Sequence, residues 1–147
     1  MLASIRPDSW NFPLLLHVLG ATVLVGAVGA GVVAELAASR AEEPAFLRRL
    51  AFRIFLLAAL PSYIVMRIGA EWLYSKEFSG SSNDPTWVAI GRAAADAGGL
   101  VFLIALVLGG LAARRSSGGL TKTAGVLAAI TFVGWLVAIW AMGAKPS

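Results

Sequence analysis

The sequence predicts an all-α, polytopic membrane protein, a bundle of four transmembrane helices with both chain ends on the outer side. Three observations predict it. Apolar residues make up 59% of the 147 residues and charged residues only 14%, whereas a soluble domain carries about 25% charged residues. The apolar residues gather in four runs, each near the length of about 20 residues that crossing hydrocarbon requires. The arginines gather beside the first and third connections between those runs, the asymmetry that sets orientation in a membrane.

The spans fall at 12–36, 50–74, 87–113 and 123–143, which leaves a single domain over residues 1–147. The first is apolar from Phe12 to Ala34 apart from His17 and Thr22. Asn11 ahead of Phe12 and Pro13 reads as a helix start, because Asn caps and Pro fits the first turn. The run exceeds the roughly 7–15 residues of a signal-peptide core. The second span runs from Leu50 to Tyr74, with an uncharged centre bracketed by Arg53 and Arg67. Pro61 near its middle predicts a kink, since proline donates no backbone bond and clashes with the preceding turn. The third, Trp87 to Ala113, begins just after Pro85 and holds Arg92 and Asp96 in its first third. The fourth, Thr123 to Met142, carries no charge. Loops are expected at Ser39–Arg49, Ser75–Thr86 and Arg114–Lys122, the latter two marked by Ser79–Pro85 and by Ser116–Gly119.

Orientation follows from charge. Arg40, Arg48, Arg49, Arg53, Arg114, Arg115 and Lys122 flank the first and third loops; Arg6, Lys76 and Lys145 are the cations on the other side. Positive residues favour the cytoplasmic side, so both termini are expected outside. Trp10, Trp72, Trp87, Trp135 and Trp140, with Tyr74, fall near the predicted outer ends, where indole satisfies both an apolar body and a polar N–H.

Helix geometry then collects a polar cluster. Counted at about 1.5 Å per residue from Trp10, Tyr74 and Trp87, His17 and Arg67 lie about 10 Å deep and Asp96 about 13 Å. Tyr63, Arg67 and Glu71 are spaced i, i+4, i+8, and Arg92 and Asp96 i, i+4, so each set forms a row. Turned inward, the rows pair Arg67 with Asp96 and Glu71 with Arg92, beside His17. Charges inside a membrane are costly and mark a functional-site hypothesis; a purely architectural role, with arginines snorkelling to headgroups, is the alternative. Small residues four apart (Ala27 and Gly31, Ala94 and Gly98, Ala95 and Gly99) predict close helix contact inside the bundle.

The composition also excludes. No cysteine is present, which removes disulfides and thiolate sites. The net charge of +4 belongs to the span flanks, so the partner is the lipid bilayer and not nucleic acid. No phosphate loop, HExxH or GxSxG motif occurs, and an enzyme is not expected.

The stretch Leu16-His17-Val18-Leu19-Gly20-Ala21, with Val25-Gly26 after it, resembles the opening helix of a family of bacterial four-helix predicted integral membrane proteins. That family is itself distantly similar to the membrane domain of the copper-resistance protein D group. Glu43-Pro44-Ala45 and Asp84-Pro85-Thr86-Trp87 extend the likeness in layout. The resemblance implies a four-helix bundle in a bacterial inner membrane and a histidine at position 17. It implies no defined activity.

Three readings follow. The first is an accessory or structural subunit that meets a membrane-protein partner or a second copy of itself. The second is a haem- or metal-binding protein, with His17 as ligand and Arg67 and Arg92 as partners for propionates. The third is a small transporter or proton pathway through Asp96, Glu71 and His17.

Overall fold

The computed structural model describes residues 8–78 and 84–144. A short 3-10 turn, Asp8–Trp10, leads into helix α1, Asn11–Ala38. Helix α2 spans Ala45–Glu77, α3 Thr86–Arg115 and α4 Gly118–Ala144. All four are long and apolar enough to cross a membrane. The helices run alternately up and down. One end of the bundle, the aromatic end, holds the start of α1 and the end of α4. The other, the basic end, holds the α1–α2 and α3–α4 turns. The chain is a multi-span, all-helical membrane protein. Arg6, Lys145 and the loop residues Ser79–Asn83 lie outside the described residues.

The burial pattern explains why such a chain suits a bilayer. Leu57, Leu100, Val107 and Trp140 are more than 60% exposed, while Ala51, Ala59, Ala105, Ala112, Ala124 and Ala128 are fully buried. Lipid tails are as apolar as leucine, so packing in a membrane favours small residues that let helices approach. A larger wedge of Leu24, Val28, Phe55, Phe102 and Met66 fills the middle. Phe55 and Phe102 meet edge to face at 5.9 Å.

The helices extend beyond the expected spans, and each extension has a local cause. Helix α2 starts at Ala45, inside the expected first loop, because the segment Ala45–Ile54 is amphipathic: it buries Arg48 and Ala51 and exposes Phe46 and Arg49. Its three arginines disguise this apolar face. The expected third loop shrinks to Ser116 and Ser117. Ser116 takes a left-handed conformation (φ 51°) and ends α3. The Ser117 hydroxyl then accepts the amide of Leu120 at 3.4 Å, capping α4, so Gly118 and Gly119 are helical.

Pro61 acts differently from a simple kink. The five residues before the next α-helical stretch, Phe55–Ala59, form a π-helical turn. A proline ring clashes with the carbonyl four residues earlier and offers that carbonyl no donor. Widening the preceding turn is one way to absorb the clash without breaking the helix.

Close approaches occur where glycine stands. A Cβ on Gly20 would sit 2.6 Å from the backbone nitrogen of Met66, and one on Gly69 would sit 2.5 Å from that of His17. Helices α1 and α2 therefore touch backbone to backbone at the aromatic end. Gly31 lies against Phe55, Gly98 against Trp135 and Gly99 against the Tyr63 hydroxyl. The small-residue pairs read from the sequence thus serve contacts within the bundle.

Candidate functional site

Helix α1 pairs tightly with the aromatic-end half of α2, and α3 pairs tightly with α4. Between these two pairs the aromatic end is bridged by side chains. Tyr63 of α2 donates its hydroxyl to the Ala95 carbonyl of α3 at 3.1 Å. Arg67 bonds both Asp96, at 2.9 Å, and Glu71, at 3.1 Å. Arg92 reaches the other oxygen of Glu71 at 3.6 Å and lies 4.4 Å from the centre of the Tyr74 ring. The Tyr74 hydroxyl donates to Asp84 at 2.6 Å. The cluster read from helix spacing is thus joined in one chain of ion pairs, with Arg67 on Asp96 and Arg92 on Glu71.

Its position differs from the inward one expected. The side chains of Asp96, Glu71 and Arg92 are 61%, 47% and 42% exposed. The row runs along the α2–α3 seam instead of the bundle axis. Depth along a helix follows from counting, but rotation about its axis is set by packing. Here Tyr63 takes the interior place and Arg67 and Glu71 one turn and two turns on lie at its edge. Trp135 also departs from expectation. It is 4% exposed, stacks on Tyr63 at 5.8 Å and donates its indole N–H to the Ala94 carbonyl at 3.2 Å. It is a core residue and not part of an interfacial belt, whereas Trp72 and Trp140 are exposed.

Behind the ion pairs lies a cleft of about 790 Å³ lined by all four helices. His17, Met66, Ala70, Ala95, Trp135 and Ala138 line its depth; Arg67, Glu71, Glu77 and Arg92 are its charged residues. Val18 and Thr22 of α1 and Ile139 of α4 line it yet are exposed. Glu71 and Glu77 of α2 also line it and are exposed, so the cleft is open both along the α1 and α4 flank, which is apolar, and along the charged α2 edge.

His17 has a defined orientation. Its Nδ1 lies 3.2 Å from the Met66 carbonyl. A carbonyl only accepts, so Nδ1 carries the proton. In the neutral ring this leaves Nε2 as a lone-pair nitrogen. A backbone carbonyl bound to the far nitrogen is the usual way that a ligating imidazole is held. The contact exists because Gly69 lets the α1 backbone settle on α2 beside Met66.

No group of three or more His, Cys, Asp or Glu side chains that could hold a metal ion occurs among the described residues. The chain matches no protein-family model, no curated protein and no solved structure.

A second polar site was not singled out in the sequence. Glu35 of α1, at the basic end, is 1% exposed, and neither carboxylate oxygen has a hydrogen-bond partner. Arg48 of α2 is 8% exposed and its Nε is also unpartnered. Arg48 is the opposite charge that acts on Glu35, yet no ion pair closes between them. Room for the Glu35 side chain comes from missing side chains opposite. A Cβ on Gly109 would lie 3.3 Å from Oε1, and one on Gly125 would lie 3.2 Å from the Glu35 Cβ. The available signal was negative. Residues 31, 32, 38 and 39, the helical neighbours of Glu35, are Gly, Val, Ala and Ser, so no local cation can pair with it.

Proposed function

We propose that this chain is a small membrane-embedded binding protein, not an enzyme, whose ligand reaches the aromatic-end cleft from the bilayer. The observation that carries the reading is the cleft itself: an apolar space of about 790 Å³ with an open apolar flank and an oriented histidine in its wall. Ligand sites in proteins are concave, mostly apolar and furnished with a few oriented polar groups. The test is to purify the protein in mild detergent and identify what denaturation releases. A bound apolar molecule is expected from the wild type and absent from an Ala70→Leu/Ala138→Leu variant, in which the cleft is filled. Equal recovery from both would remove the cleft as its site.

Haem is one occupant to weigh. The His17 nitrogen suits an axial ligand. The propionate half fits less well, because Arg67 already bonds Asp96 and Glu71 and Arg92 is already ion-paired with Glu71. A Soret band lost in His17→Ala would assign haem, and a colourless protein would exclude it as the resident group.

An accessory-subunit role is the second reading, and one observation favours it. Thr22, Gly26 and Ala30 form an exposed i, i+4, i+8 row on α1, with nothing within 4 Å of a Cβ on Gly26. Such a row admits the backbone of a partner helix or of a second copy. A transport path has less support. Leu24, Val28, Phe55 and Phe102 lie buried between the cleft and Glu35, an apolar layer without a polar relay among the described residues.

The charge asymmetry supports an orientation with the basic end cytoplasmic and both termini outside, and a bacterial inner membrane is what the family resemblance implies. The chain has no cysteine, so single introduced cysteines report cleanly. Ser117→Cys should resist an impermeant maleimide in intact cells and Ala144→Cys should react; the reverse pattern would invert the topology.

A further inference from the structure

The cleft carries information about the chemistry of what it holds, and three features point the same way. The first is charge. The ionisable residues that line the cleft, apart from His17 and Tyr74, are Arg67, Arg92, Glu71 and Glu77, two of each sign. Arg67 and Arg92 are each already paired with a protein carboxylate. An anionic head would therefore have to displace an existing ion pair, whereas a neutral head would not.

The second feature is His17. Its Nδ1–H is committed to the Met66 carbonyl, so the ring offers a hydrogen-bond acceptor at Nε2. An acceptor in an apolar wall selects for a donor, because a ligand that lacks one leaves the nitrogen desolvated and unpaired. The third feature is composition and access. Trp135, Trp87, Phe78 and Tyr74 are among the lining residues, and Val18 and Ile139 are exposed apolar residues on one open flank. Aromatic residues suit a ring, and an open apolar flank lets an alkyl tail remain among lipid chains.

We propose that the cleft binds a neutral, bilayer-soluble molecule with a hydroxyl-bearing ring, of the tailed phenol or hydroquinone class, whose O–H donates to Nε2 of His17. The proposal rests on the binding reading above and narrows it to a ligand class. No covalent or redox step is involved; the contact is a hydrogen bond inside an apolar site.

The test compares 4-decylphenol with 4-decylanisole, which differ only in methylation of the hydroxyl. Binding is followed by tryptophan fluorescence of the full chain in detergent micelles. The phenol is expected to bind about fivefold more tightly, the equivalent of one ordinary hydrogen bond. His17→Leu should reduce the phenol to the affinity of the anisole, and the Ala70→Leu/Ala138→Leu variant should lose both. The single histidine allows a second readout that needs no mutation. In imidazole-labelled protein, the ¹⁵N resonance of the unprotonated Nε2 should move with the phenol and stay in place with the anisole. Equal binding of the two probes, a preference that survives His17→Leu, or an unmoved Nε2 would overturn the proposal while leaving the cleft as a binding site. Failure of both probes to bind the wild type in a manner that filling the cleft abolishes would overturn the proposal and the binding reading together.

Discussion

The two ends of this bundle treat charge in opposite ways. At the aromatic end, four charged side chains from two helices satisfy one another and stay partly exposed along a seam. At the basic end, Glu35 and Arg48 are buried, close enough to interact, and leave three polar atoms without partners. In the first arrangement each charge has an opposite partner, which lowers the cost of placing it within a span. The second buries two ionisable side chains in a low-dielectric space without closing a bond between them, where loss of one member leaves the other alone. One bundle thus carries a bridged, partly exposed set of charges at one end and two buried, unbonded ones at the other.

Mutations can break or sharpen this contrast. The largest effect is expected from Arg48→Ala, which strips Glu35 of its counter-charge and should cost about 3 kcal/mol of stability in detergent unfolding. Adding Glu35→Leu to it should recover most of the loss; a stable Arg48→Ala protein would show that the pair does not hold the basic end. Next come Gly109→Val and Gly125→Val. Each places atoms where Glu35 now lies and should cost about 2 kcal/mol. The penalty should fall when Glu35 is replaced by Ala, and additive losses would mean that Glu35 is not what fills that space.

The seam should respond less. Arg67→Asp or Asp96→Arg alone should lower stability by about 1 kcal/mol, and the double swap should restore part of it. A double variant no better than the worse single one would dissolve the pairing. Smallest of all is Glu71→Gln. It weakens contacts to Arg67 and Arg92, should cost about 0.5 kcal/mol, and the difference from wild type should vanish in about 1 M salt.

Much of the aromatic-end cluster was legible before any coordinates. Tyr63, Arg67, Glu71, Arg92 and Asp96 lie on regular helices, and a four-residue spacing places side chains in a row whatever surrounds them. Their partners followed from depth. Rotation did not, so the row was expected on the bundle axis and stands at its edge. Trp135 departs from its expected place for a related reason. Tryptophan near a span end suits the headgroup level, but here Gly98 opens a space across α3 and the Ala94 carbonyl accepts the indole N–H, so the ring turns inward. Spacing does not reveal Glu35, because Arg48, the counter-charge that acts on it, lies on another helix, in a segment whose three arginines suggest a loop.

By itself the sequence determined the class of solvent, the number of spans and the depth of each polar residue. These depend on composition, run length and helical rise, which are local quantities. Tertiary structure decided which side of each helix faces the others, because the glycines at 20, 69, 109 and 125 make space only against particular neighbours. It also decided that α1 and α2 separate from α3 and α4 at one end. From that separation come the cleft, the tethered His17 and its free nitrogen, none of which any single segment encodes.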